Sequence, residues 1–267
     1  QKLDLKYAQE VKGIKALMCF IIANIGDQIT PVEVRKNYEE NGFSSEEAAV
    51  KNYWCWNDLE PQSIDAAIKK YANSICDTIY KYNYDGFDID YEPHYGSPGN
   101  MASYDDRMLL FIKTLRERLG VREKTGKLIV IDGEPQSIVP EAGEYLDYFI
   151  VQAYDCNGDS NLDRRLENTI NNFEGILDPE EVAKRYIVTE NFEKWSLTGG
   201  ANYTDRYGNK MKSLEGMARW TPIINGEICT KGGVGTYHME YEFRVSGYTG
   251  TYPFLRNAIR IMNPPIK

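Results

Sequence analysis

Histidine is nearly absent from this 267-residue sequence, with two copies, and the five cysteines never fall in a Cys-x-x-Cys pair. Cys19, Cys55, Cys76, Cys156 and Cys229 are odd in number and widely spaced. That pattern excludes a zinc ribbon and argues against a disulfide framework. No window of about 18 apolar residues occurs, so no segment reads as a membrane-spanning helix. Positive charge is in deficit: 31 Lys and Arg stand against 40 Asp and Glu, a net charge of −9. Nucleic acid and anionic membranes recruit clustered Lys and Arg, so neither is an expected partner. No GxGxxG or GxxxxGKS loop follows a strand-like run, which weakens a nucleotide-binding reading.

Apolar residues make up 42% of the chain, enough for a sizeable core. Tyrosine is over-used, at 20 copies beside 9 Phe and 4 Trp. Such amphipathic rings suit a site that handles sugars, and they also pack well at the rim of a core.

Six short runs read as strands: residues 15–23 (KALMCFIIA), 85–92, 127–132 (KLIVID), 148–154 (YFIVQAY), 185–190 (RYIVTE) and 232–239 (GGVGTYHM). Between them lie segments with apolar residues at helical spacing, over 63–82 and 104–119, and more weakly over 162–176 and 214–220. Residues 179–184 read as a short helix with Asp178 as its cap and Pro179 at its first position. Alternating strand and helix implies a parallel sheet with helices outside it. With no linker or repeat visible, the expectation is one α/β domain over residues 1–267, a (β/α)8 TIM barrel, with an open doubly wound sheet as the alternative. A full barrel needs eight strands. Either two hide in residues 25–56, or the first two precede this sequence.

The second run, YDGFDIDYEP from Tyr84 to Pro93, threads carboxylates through strand-like sequence. Alternate side chains of a strand share a face. Asp88, Asp90 and Glu92 therefore point one way, and Phe87, Ile89 and Tyr91 the other. In a barrel the aromatic and aliphatic set packs under the helices while the acids line the interior. Glu92 falls at the C-terminal end of the strand, where barrel active sites lie. Repulsion among the acids favours protonation of at least one, and a general acid requires that. Position and reach make Glu92 the expected acid. A calcium loop does not fit, because its required Gly and Glu positions hold Pro93 and Gly99. A two-carboxylate magnesium site and a solvated edge strand stay open as alternatives.

The run DGFDIDYE over residues 85–92 resembles the DxxDxDxE signature of glycoside hydrolase family 18, the chitinases and endo-β-N-acetylglucosaminidases. The run FIVQAYD over residues 149–155 resembles the family's sixth strand, with Gln152 in the manner of the endo-β-N-acetylglucosaminidase branch. The resemblance implies a barrel whose fourth strand carries the acids, with residues 15–23 as strand three. It implies Glu92 as acid/base, Asp90 as the residue orienting the substrate's acetamido group, Asp88 as its electrostatic support, and Tyr154 as donor to the acetamido carbonyl. Gln152, Asp155 and Tyr237 are carried over as substrate-binding residues. Glu190, Trp54 and Trp56 join them as candidates from their places at strand ends or in the segment 25–61, with Asp132, Glu134, Asn191, Glu240 and Trp195 as further rim residues. The expected function is hydrolysis of the β-1,4 bond between the GlcNAc residues of an N-glycan core, with no metal and no cofactor. The alternatives are a chitinase, a glycan-binding protein without catalysis, and a metal-dependent hydrolase using His94 or His238. Such an enzyme is expected to be exported: secreted, periplasmic or held at the cell surface, with its signal segment outside this sequence.

Overall fold

The six strand-like runs all form strands, and β-branched and aromatic content explains why. The computed structural model describes residues 2–21, 61–93, 104–243 and 252–264. The chain divides into two compact units, one of residues 1–131 and 137–147, the other of residues 132–136 and 148–267.

The first unit runs α1 (Lys2–Glu10), β1 (Leu17–Ile21), α2 (Pro61–Tyr82), β2 (Gly86–Tyr91), α3 (Asp105–Leu119), the single turn α4 (Arg122–Thr125) and β3 (Leu128–Gly133), whose last two residues fall in the second unit. The strands lie in the order β1-β2-β3. β1 and β2 are parallel, with Cys19 opposite Asp88 and Ile21 opposite Asp90. Parallel neighbours need a crossover, and α2 supplies the one between them. Ile68, Ala72, Ile75, Cys76 and Ile79 form its buried stripe at helical spacing. Met108, Phe111, Ile112, Leu115 and Leu119 do the same for α3, and Tyr71 stacks on Phe111 at 5.8 Å. Gly120 then ends α3, its N–H donating to the Arg116 carbonyl.

Two polar ties fix the lower end of this sheet. Arg116 reaches Asp147 at 2.7 Å, and the same carboxylate accepts the N–H of Ile129. Asp85, the first acid of the motif, accepts from the Ala16 N–H at 2.9 Å and Gln9 Nε2 at 2.7 Å. Burial works against its ionisation, but these bonds and Lys15 hold its carboxyl below the usual range. Asp85 is thus a staple between the entry of β1 and the entry of β2. Gly86 follows because a Cβ there would run into the backbone carbonyl of Leu128 on β3.

The second unit runs β4 (Tyr148–Gln152), α5 (Asp159–Asn172), α6 (Pro179–Arg185), β5 (Tyr186–Asn191), α7 (Phe192–Trp195), the hairpin β6 (Asn202–Thr204) and β7 (Lys210–Lys212), α8 (Ser213–Arg219), the small hairpin β8 (Ile223–Ile224) and β9 (Glu227–Ile228), β10 (Gly233–Tyr237), α9 (Met239–Phe243) and α10 (Pro253–Met262). β5 is central, parallel to β4 on one side and to β10 on the other. Phe149 stacks on Phe173 and Tyr186 meets Trp220 edge-on. Phe192, Leu214, Ala218 and Ala258 make the core under α8 and α10. Asp159 is buried at the start of α5 and accepts from Tyr203 Oη and Arg206 Nε, which pins the β6–β7 hairpin to that helix.

Two expectations change in detail. Asp178 occupies the cap position of α6 with Pro179 next to it, yet its side chain makes no capping bond. Helix α10 and both hairpins have no counterpart in the sequence reading. Cys19, Cys76, Cys156 and Cys229 are free thiols among the described residues.

Candidate active site

Burial along β2 alternates as the motif requires. Phe87, Ile89 and Tyr91 are at most 2% exposed, while Asp88, Asp90 and the following Glu92 are half-buried on the opposite side. Phe87 packs edge-on against Phe111 of α3, so the apolar side faces the helix layer. Asp90 senses the charge of Glu92, and Asp88 that of Asp90. The three carboxyls therefore form one column, in the order of the chain.

Burial is the main reason Asp88 and Asp90 are raised. It pushes Asp88 up to about 7, with repulsion from Asp90 adding to it and a hydrogen bond from Cys19 opposing it. Burial pushes Asp90 up to about 6, with Glu92 adding repulsion. Repulsion alone, the cause expected from sequence, is the smaller part. Asp88 is raised further than Asp90, so of the two it is the better holder of a proton and Asp90 the better ionised acceptor. One oxygen each of Asp88 and Asp90 is buried without a hydrogen-bond partner. Such groups cost free energy, and a site that meets polar substrate atoms is where that cost is accepted.

Cys19 is the residue that sequence reasoning missed here. It lies opposite Asp88 in the parallel register. Nothing in the primary sequence gives that register, because it is set by the pairing of two strands 69 residues apart in the chain.

The second unit presents a separate group. Gln152 ends β4, Ala153 is buried, and Tyr154 is half-buried, so Gln152 and Tyr154 continue one face of the alternation. Asp155 has φ 57°, in the left-handed region. For a residue with a Cβ that conformation costs about 1 kcal/mol or more. The ring of Tyr154 lies 6.5 Å from that of Tyr237, which ends β10 and is half exposed. His238 contacts Tyr237 at 5.2 Å and Tyr241 at 4.4 Å between ring centres. These rings line the C-terminal ends of β4 and β10, where flat apolar faces suit sugar rings.

Asp155 is exposed and engaged. Its carboxylate accepts from Trp195 Nε1 at 2.5 Å and from Lys194 Nζ at 3.0 Å. The Trp195 bond, then Lys194, holds it below the usual carboxylate range. Glu190 is fully buried on β5. Its carboxylate accepts from the N–H of Asp155 at 3.0 Å, the N–H of Asn191 at 2.8 Å, and the hydroxyl of Ser213. Trp54, Trp56 and His94 lie outside the described residues. Among the described residues, no group of three or more His, Cys, Asp or Glu side chains is spaced to hold a metal ion.

The profile of glycoside hydrolase family 18, BT1044-like, matches residues 1–261. Among solved structures, BT1044, in a selenomethionine form with one Glu-to-Gln change, is 34% identical over 98% of this chain and 74% of its own, with a TM-score of 0.74. An endo-β-N-acetylglucosaminidase from Cordyceps militaris is 18% identical over 95% of this chain and 71% of its own, with a TM-score of 0.56. A chitinase from Bacteroides thetaiotaomicron is 15% identical over 98% and 81%, with a TM-score of 0.52. The last two likenesses show the shared α/β fold, of the TIM-barrel kind. No curated protein matches the chain.

Proposed function

Because the chain belongs to glycoside hydrolase family 18, in its BT1044-like group, we propose that it cleaves the β-1,4 bond between the two GlcNAc residues of an N-glycan core by substrate-assisted catalysis. The observation that carries this reading is the column on β2: two aspartates raised by burial, leading to a glutamate at the strand's end.

Most retaining glycosidases use a protein carboxylate as nucleophile, and this family is an exception. In the proposed mechanism the substrate's 2-acetamido oxygen attacks the anomeric carbon. As that C–O bond forms, the glycosidic C–O bond breaks and Glu92 gives its proton to the leaving oxygen. Asp90 accepts the acetamido N–H, which turns the carbonyl toward the anomeric carbon and spreads the charge of the oxazolinium ion. Asp88, keeping its proton, supports Asp90 in the ionised form that role needs. Glu92 then takes a proton from water as that water opens the ring. Holding nucleophile and electrophile within one molecule is worth up to about 7–11 kcal/mol of the activation barrier. Tyr154 is assigned the hydroxyl facing the acetamido carbonyl, and Gln152, Asp155 and Tyr237 the surrounding sugar contacts. The enzyme is proposed to act outside the cytoplasm, where such glycans are displayed.

Mass spectrometry of an N-glycoprotein after incubation tests the reading. One GlcNAc left on each Asn is the expected product. An untouched glycoprotein together with shortened chitin oligomers would replace this reading with a chitinase, and a protein that binds both and cuts neither would replace it with a lectin.

A further inference from the structure

The mechanism above leaves Glu190 without a task, although it is an acid with no exposure at all. Resting on the proposed function, we infer that Glu190 is a positioning residue: it sets the aim of Tyr154 and the Asp155–Lys194–Trp195 cluster and does not touch the sugar. Its two oxygens are already taken. Oε1 accepts the backbone N–H groups of Asp155 and Asn191, and Oε2 accepts the Ser213 hydroxyl at the start of α8.

Each donor lies where the sequence changes direction. Asp155 is the left-handed residue of the turn that follows β4, and it directly succeeds Tyr154. The plane of the peptide joining them carries the N–H that Glu190 holds, so the same bond fixes the exit direction of Tyr154. Asn191 caps α7, its Oδ1 accepting the N–H of Lys194 at 3.1 Å. That short helix carries Lys194 and Trp195, which return to the Asp155 carboxylate. One buried oxygen therefore ties the end of β4 to the end of β5, and side-chain bonds outside it close the loop. A buried acceptor serving two backbone donors is expensive to remove, since both N–H groups lose their partner.

Substitutions separate positioning from contact. Glu190→Gln keeps an oxygen for both N–H groups and offers its amide to Ser213. Glu190→Ala removes every acceptor. The expected result is that Glu190→Gln retains at least about a third of kcat/KM, while Glu190→Ala loses about 100-fold in kcat with KM changed less than about threefold, the size expected for a displaced catalytic group. In the Glu190→Ala background, Tyr154→Phe should then add little, because Glu190 acts through Tyr154. The second readout needs no activity: the amide resonance of Asp155 and the indole N–H resonance of Trp195, assigned through Trp195→Phe, should shift in Glu190→Ala and hold in Glu190→Gln. If Glu190→Ala does not fold, Ser213→Ala takes its place and should shift the Asp155 amide. Equal loss in Glu190→Gln and Glu190→Ala with unmoved resonances would overturn the inference in favour of direct contact. So would additive losses from Glu190→Ala and Tyr154→Phe. An inactive wild type with the expected shifts would sink the proposed function and leave the brace standing.

Discussion

At the scale of single residues, the chemistry depends on where protons sit. Glu92→Gln removes the proposed acid/base and leaves shape almost unchanged, so turnover should fall by at least about a thousandfold while glycan binding persists. Isothermal titration alongside the product assay separates the two. In the proposed mechanism, Asp90→Asn still orients an amide but no longer stabilises the oxazolinium charge. Its loss should be smaller, with product synthesis from an oxazoline sugar retained. Cys19 offers a finer probe. Its hydrogen bond lowers Asp88 against the effect of burial, so Cys19→Ala should raise Asp88 further. The pH dependence of kcat should then shift to higher pH, whereas Cys19→Ser, with a hydroxyl in place of the thiol, should shift it the other way. A profile that stays put in both variants would remove Asp88 from the protonation scheme.

At the scale of elements, what the sequence revealed divides by period and by length. The alternation of Asp88, Asp90 and Glu92 against Phe87, Ile89 and Tyr91 was legible because a strand's period of two converts order directly into sides. The helical stripes of α2 and α3 were legible for the same reason at period 3.6. The three-residue strands β6 and β7 are shorter than any period and left no signal. Helix α10 does carry one, Pro253 at its first position with Phe254, Leu255, Ala258, Ile261 and Met262 at helical spacing. Register was the other limit: Cys19 beside Asp88 and Glu190 beneath Asp155 follow from pairings that no local pattern encodes. Gly86 ties the motif to its sheet, since a side chain there meets the Leu128 backbone. Gly86→Ala should destabilise by about 2 kcal/mol or more, seen as a lower midpoint in chemical unfolding, and a wild-type midpoint would mean β2 and β3 have room to separate.

At the scale of the whole molecule, buried acids make stability depend on pH in a definite sense. Asp88 and Asp90 are raised from 3.8 to about 7 and about 6. An acid raised by folding favours its protonated form in the native state. Its contribution is present below about 3.8 and is lost as pH climbs through 6 and 7. Asp85 and Asp155, held low, act in the opposite sense at the acid end. Asp88→Asn removes one raised acid and nothing else of that kind. Its melting temperature should gain on wild type between pH 5 and pH 8, and a constant difference across that range would show that Asp88 titrates normally. Family membership makes the protein a glycoside hydrolase of family 18, and the proposed mechanism divides the work so that the protein supplies the acid and the sugar supplies the nucleophile.

The most direct test of that division of labour is a substrate series in which the acetyl group of the cleaved GlcNAc carries zero, one, two or three fluorines. Each fluorine withdraws electrons from the carbonyl oxygen that is proposed to attack. With the acetamido oxygen as nucleophile, kcat/KM should fall progressively across the series, by orders of magnitude at three fluorines. Equal rates for all four substrates would contradict it and return the nucleophile to the protein.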